Sequence, residues 1–333
     1  LYKYDSQLDS WCVGTGPFIP RTIKMNEVVI LERNNHYWRV DTSGNALPYL
    51  DAIRCNFITD QKEQLDYFLD DHLDVLLSVP FSEVANLENM LTQDDSPSFK
   101  IISTPGIRVE YYGFLLTDEY FSDLRVRKAI YKAIDRNFLV DSILLGYGVP
   151  ADNGFIPPSM PGYNADSVHA WDFNPEEARA LLAQAGYAGA NGFPVLTLQL
   201  NDGNKIILKV AEAVQMMLTE NLGITVELSI LPKNSHYETV ELGNVRFWRD
   251  GWIGDYPDPE NFLKLFHGKL VPEDNEKASY LNTVRFNNED FDLNFENSLK
   301  ESNSNLRMEQ FYRADQIIVN QAAVIPLYYE NWI

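Results

Sequence analysis

The stretch that decides the fold is Val195–Leu231, "VLTLQLNDGNKIILKVAEAVQMMLTENLGITVELSIL". "VLTLQL" (Val195–Leu200) and "ITVELSIL" (Ile224–Leu231) are apolar, β-rich runs. Between them Ile206–Asn221 has helical periodicity, and Gly223 supplies the stop. A strand–helix–strand unit of this size makes a right-handed parallel crossover, so the spacing predicts an α/β sheet. In such sheets ligands sit beyond the carboxyl ends of the strands. The run immediately following, "NVRFWRDGWIGDYPDP" (Asn244–Pro259), is therefore where chemistry is expected.

Upstream, Val126, Ala129, Ile130, Ala133 and Ile134 recur at helical spacing behind the candidate caps Ser122 and Asp123. A second helix is fully signposted. Asn174 is its N-cap, Pro175 opens the first turn, Glu176 and Glu177 face the positive dipole end, and Gly186 ends it. Nearer the start, Glu27–Glu32 and Ala52–Ile58 read as strands around the turn-rich "DTSGNALP". Gln61–Leu69 reads as a helix, "DVLLSV" as a strand, Ser82–Leu91 as a helix and Phe99–Ile102 as a strand.

A length of 333 residues suggests about two domains. Lys and Arg number 27 against 48 Asp and Glu, a net charge of −21 that repels a phosphate backbone and excludes general nucleic-acid binding. No apolar run approaches the ~20 residues of a spanning helix. Two cysteines, Cys12 and Cys55, are too few for a disulfide framework or a four-ligand zinc site, leaving unpaired thiols or a single bridge.

Enzyme signatures are missing: there is no phosphate loop, G-x-G-x-x-G, H-E-x-x-H or G-x-S-x-G. His36, His72, His169, His236 and His267 show no metal-ligand spacing. Asp255 and Asp258 could be imagined as a glycosidase pair, but close carboxylates arise by chance in an acidic chain. As a binding surface the same run has more to offer. Trp248, Trp252 and Tyr256 supply flat apolar walls, Gly251 and Gly254 allow a ligand backbone to approach, and Arg249 and Asp255 could meet the two ends of a zwitterion. The alternative is a surface loop with a buried Trp and a local Arg–Asp pair.

These residues resemble the peptide-binding, periplasmic-type solute-binding proteins of ABC importers. The resemblance runs in order through "VGTGPF" (Val13–Phe18), "LERNNHYW" (Leu31–Trp38), "FSDLRVRKAIYKAIDRNFLV" (Phe121–Val140), "FNPEEARALLAQAGY" (Phe173–Tyr187), "GWIGDYPDP" (Gly251–Pro259) and "IPLYY" (Ile325–Tyr329). "DDHLD" (Asp70–Asp74) lacks the family's usual glycine. Members normally carry a long segment before the "GTGP" motif and continue past "IPLYY", so the chain resembles a fragment. The missing first strands would leave the neighbours of Val28–Leu31 unpaired.

The resemblance implies a two-lobed α/β fold that closes on its ligand. The first lobe would be incomplete, residues 1–108 with 323–333, and the second would be 109–322. "RVEYYGFLL" (Arg108–Leu116) and "AAVIPLYY" (Ala322–Tyr329) match the crossing segments. It further implies a short peptide ligand, a membrane permease as partner, a periplasmic or cell-surface location typical of a lipoprotein, and neither cofactor nor catalysis. Asp255 would pair with the ligand ammonium and Arg249 would approach a carboxylate. Gly251 to Ile253 would offer their backbone to the peptide, while Trp252, Tyr112, Tyr328 and Tyr329 would wall the pockets. Another solute, such as an oligosaccharide or metal chelate, is the alternative, and a secreted hydrolase a more distant one.

Overall fold

The computed structural model describes residues 14–332 apart from 78, 81–82, 94–97, 204 and 275. It divides into two compact units, Leu1–Ile101 and Ile102–Ile333. In the first, β1 (Phe18–Lys24), β2 (Val28–Arg33) and β3 (Ala52–Asn56) form an antiparallel sheet in that order. Val28–Leu31 is therefore paired on both sides, with β1 and with β3, which are the two edge strands of this sheet. Helix α1 (Gln61–Leu69) matches its expected span, because Asp60 caps it by accepting from the Glu63 N–H at 2.8 Å. Helix α2 is Val84–Gln93, and the expected start at Ser82 lies outside the described residues, as does Cys12.

Two expected strands are absent. The "DVLLSV" run forms no strand where it is described: Val75 is 67% exposed and Leu77 91% exposed. Phe99–Ile102 likewise stays irregular, and the next strand begins at Thr104.

The second unit begins with β4 (Thr104–Phe114), α3 (Leu124–Lys132), a one-turn α4 (Arg136–Phe138), β5 (Val149–Pro150) and α5 (Pro175–Gln184). Then come β6 (Leu196–Asn201), α6 (Lys205–Leu222), β7 (Val226–Leu231), α7 (Lys233–Glu241) and β8 (Phe247–Ile253). The chain ends with α8 (Glu260–Leu263), α9 (Glu289–Ser298), α10 (Ser304–Asn320) and β9 (Val324–Trp332). The sheet order is β5-β9-β4-β8-β6-β7. β6 and β7 are parallel from Leu196↔Val226 to Asn201↔Leu231, as the crossover argument requires. Asp123 caps α3, Asn174 caps α5 through the Glu177 N–H at 3.0 Å, and Gly223 leaves α6 at φ +77°.

The two compact units part at 101/102, and 323–333 lies in the second of them. β9 is hydrogen-bonded along β4, with Val109 opposite Tyr329, Tyr111 opposite Pro326 and Gly113 opposite Val324.

Both faces of this sheet are covered. One carries Val109, Tyr111 and Trp248 into a core with Phe155, Phe262, Phe266, Phe311 and Ile318. Trp248 lies across β4 because position 113 is glycine: a Cβ there would stand 2.7 Å from the ring. On the other face Phe247 stacks on Phe114, with Tyr112 and Phe121 against it. Within the core, Asp315 of α10 is fully buried. It accepts from the N–H groups of Phe155 (2.7 Å) and Ile156 (3.3 Å) and from the Tyr163 hydroxyl (2.8 Å). Burial pushes its carboxyl up to about 6, against those three donors. A Cβ on Gly154 would fall on this carboxylate.

Candidate functional site

The segment read as a binding surface is in its first half a strand. β8 runs antiparallel to β4, with Tyr112 opposite Arg249, Glu110 opposite Gly251 and Arg108 opposite Ile253. On its other side β8 meets β6 at Gln199↔Trp248, and β6 ends at Asn201. Beyond that point, among the described residues, no strand covers the edge of Gly251–Ile253 that faces away from β4. Gly254 donates to the Ile107 carbonyl at 2.9 Å. Antiparallel alternation therefore turns the N–H and C=O of Gly251 and Ile253 toward the uncovered edge. The Gly251 N–H is held by Asp250 Oδ1 at 2.7 Å. Burial pushes the Asp250 carboxyl up to about 6, opposed by Arg249, the Gly251 N–H and the Tyr111 hydroxyl.

One face of β4 and β8 carries a buried row of charge. Arg249 is 7% exposed and Glu110 4%, and the two form an ion pair through Nη2 and Oε2. Arg108 donates to Glu110 Oε1 from Nε at 2.8 Å and from Nη2 at 2.5 Å, and it also pairs with Glu330 at 2.7 Å. Arg249 Nη1 donates to Asn201 Oδ1 at 2.9 Å. Burial opposes the charge of Arg249, but the Glu110 and Asp250 carboxylates outweigh it and hold its pKa above the ordinary value. Tyr112 and Tyr328 line a small cavity beside this pair, with Ile207 and Val210 of α6. Behind the strand, His236 donates from Nε2 to the Arg249 carbonyl (3.0 Å), and its Nδ1 accepts from Gln199 (3.1 Å). Burial lowers its pKa to about 4, so it is neutral and structural.

Asp255 lies past the end of β8 in different surroundings. Its side chain is 68% exposed, and its nearest cation is Lys264 at 3.9 Å. The Lys264 ammonium also stands 5.8 Å from the Trp252 ring centre and 5.3 Å from that of Tyr256. The buried Asn261 fixes this turn. Its Oδ1 accepts from Trp252 Nε1 (2.9 Å) and the Asp255 N–H (3.2 Å), and its Nδ2 reaches Asp255 Oδ2 at 3.4 Å. Asp258 is engaged elsewhere, in a two-point pair with Arg307 at 2.8 Å for each bond.

The expected site residues thus divide. Arg249, Tyr112 and Tyr328 gather around Glu110, Gly251 and Ile253 carry the uncovered strand edge, and Trp252 and Asp255 share the turn with Lys264. Tyr329 is a correction: alternation along β9 places it on the opposite face from Tyr328. It lies in the core, with its hydroxyl donating to the Gly154 carbonyl at 2.7 Å. Arg249 is paired with Glu110. At Gly251 the room left by its missing side chain is filled by the Glu110 carboxylate, 2.5 Å from where a Cβ would stand. Sequence reasoning missed Glu110, Asn201, Asn261 and Lys264. A lone acid inside the apolar strand "RVEYYGF" was the available signal for the first.

The chain is 27% identical to the heme-binding protein A of Haemophilus influenzae, over 96% of its own length and 55% of that protein. It is 26% identical to the oligopeptide-binding protein OppA of Bacillus subtilis, over 99% of its length and 58% of the relative's. The solved Escherichia coli murein tripeptide binding protein MppA superposes with a TM-score of 0.71 at 25% identity, covering 96% of this chain and 59% of that one. The chain therefore spans somewhat over half the length of the proteins it matches, and its fold is the expected α/β one of two-lobed periplasmic binding proteins. Residues 3–271 match the family described as bacterial extracellular solute-binding proteins, family 5 middle, and the chain belongs to that family.

Proposed function

We propose that the chain is part of the extracytoplasmic substrate-binding component of a peptide ABC importer. It captures short peptides and delivers them to a membrane permease, at the periplasm or cell surface, without catalysing a reaction. The observation that carries this reading is the uncovered edge of Gly251–Ile253 running directly into the exposed carboxylate of Asp255. A peptide added as a strand would gain main-chain hydrogen bonds along that edge. Its α-ammonium would then meet Asp255, with Trp252 and Tyr256 beside it. The Bacillus and Escherichia relatives, an oligopeptide-binding and a murein tripeptide binding protein, support the same ligand class.

The test is calorimetry with a peptide recovered from a mixed pool, in free and N-acetylated forms. Losing one member of a desolvated charge pair costs about 2–5 kcal/mol, ~30-fold to several thousand-fold in affinity. Asp255→Ala is expected to lose this much, and Asp255→Asn nearly as much, because an amide cannot neutralise an ammonium. Acetylation is expected to weaken wild-type binding strongly while changing little in Asp255→Ala, since both delete the same pair. Equal wild-type affinity for both forms would remove Asp255 from the role. Retention of a metal chelate instead of peptides would favour a second reading, which rests on the heme-binding name of the Haemophilus relative.

A further inference from the structure

Among the described residues of β4 and β8, the space above Gly251 is built as a carboxylate site, and it is already filled. A Cβ on Gly251 would stand 2.5 Å from Glu110 Oε1 and 2.9 Å from its Cδ. Two guanidinium groups flank that carboxylate, Arg249 through Nη2 and Arg108 through Nε and Nη2. Asn201 fixes the other arm of Arg249, and Tyr328 stands opposite Glu110 on β9. Charge is balanced along the row, since Arg108 and Arg249 face Glu110 and Glu330. A ligand carboxylate arriving here would find no uncompensated guanidinium and would meet a buried like charge, an arrangement that discriminates against a partner rather than recruiting it.

The cationic end of the site is built otherwise. Lys264 holds Asp255 at 3.9 Å with the carboxylate 68% exposed, a loose pair of the kind that contributes little and exchanges readily. An incoming ammonium can take the place of Lys264, whereas an incoming carboxylate cannot take the place of Glu110.

We propose that Glu110 occupies from within the chain the carboxylate position of Arg249 and Arg108, so that Glu110 is a specificity-determining residue. The ligands it admits carry an ammonium group for Asp255 and uncharged main chain where they pass Arg249. Peptides long enough to place the terminal carboxylate elsewhere are accepted, and a short zwitterion that would place it at Arg249 is refused. The ligand half of this inference rests on the peptide reading above. The occupied-site half does not.

The test has two arms. Glu110→Ala removes Cγ and the carboxyl carbon, which together are the skeleton of acetate. Acetate, compared with chloride at equal ionic strength, is expected to raise the Tm of Glu110→Ala by ~2–4 °C more than that of the wild type. No differential rise would overturn the occupied-site half, whether or not any peptide binds. The second arm uses Glu110→Gln, which keeps the volume and so preserves folding where Ala fails to. A dipeptide is expected to bind wild type more weakly than its C-terminal amide, and Glu110→Gln is expected to shift that ratio toward the free acid by about tenfold. A wild-type protein that already prefers the acid, or an unchanged ratio in Glu110→Gln, would overturn the proposal. If no peptide binds either protein, the peptide reading fails, and the acetate arm alone decides the role of Glu110.

Discussion

In the first unit, the buried apolar side chains among the described residues are Leu65, Pro80, Val84 and Leu87, and the strands of its sheet stay half-exposed or exposed. In the second, the sheet is packed on both faces, and side chains as large as Trp248, Tyr112 and Phe247 are removed from solvent. The contrast bears on where charge can be used. A dry, covered sheet strengthens every electrostatic contact within it, which lets Arg249, Glu110, Asp250 and Asp315 be held in fixed geometry. A half-exposed sheet offers its charged residues only solvent-screened pairs, such as Arg21 with Glu32. The charge row that sets the candidate site belongs to the unit able to bury it.

The comparison can be broken or sharpened by substitution. Asp315→Ala in the second unit strands the Phe155 and Ile156 N–H groups and the Tyr163 hydroxyl. It is expected to cost about 3–4 kcal/mol in urea denaturation. A loss below about 1 kcal/mol would mean that the second core tolerates unsatisfied groups and differs less from the first than its burial suggests.

Acid should act on the second unit through His236. Burial lowers its native pKa to about 4, while the unfolded chain protonates near the ordinary histidine value. The stability it contributes is therefore present above about 6.5 and is lost as pH falls toward 4, at about 1.4 kcal/mol per pH unit and ~3 kcal/mol in all. The raised carboxyls of Asp250 and Asp315 act in the opposite sense, losing stability as pH rises toward 6. The quantity to measure is therefore the difference between wild type and His236→Gln from pH 7 to 4. It should shrink as the pH falls, and a constant difference would show that His236 does not titrate as described.

The smallest effect is expected in the first unit. Leu87→Ala should cost about 2 kcal/mol, the low end for a buried leucine, because a sparse core can relax around the deletion. A loss of 4 or more, at the upper end of the ~2–5 kcal/mol range, would show the first unit to be as tightly packed as the second.

Local signals carried much of this fold. Asn174, Pro175 and Gly186 bound α5, and Gly223 ends α6, because caps and stops act on neighbours within one turn. The β6–α6–β7 unit was legible from its period for the same reason. β8 was not, since its strand pattern is hidden by Arg249 and Asp250, which resemble loop residues until their partners are known. Those partners, Glu110 and Tyr111, lie far away in the chain, and spacing within a segment cannot reveal them. Gly251 was read as room for a ligand backbone, and the Glu110 carboxylate that stands in that room comes from a strand far away in the chain. "DVLLSV" failed for the converse reason. Its apolar residues suggested a buried strand, yet Val75 and Leu77 stand largely in solvent.

The fit between Gly154 and Asp315 constrains how this sequence can drift. The carboxylate of Asp315 lies where any side chain at 154 would begin. A change at 154 is therefore barred while the aspartate stays, and a change at 315 strands the donors that the aspartate satisfies. Neither position can move first without a loss, so the two should change together or not at all. Among diverging copies of this chain they should behave as a single inherited character rather than as two independent sites.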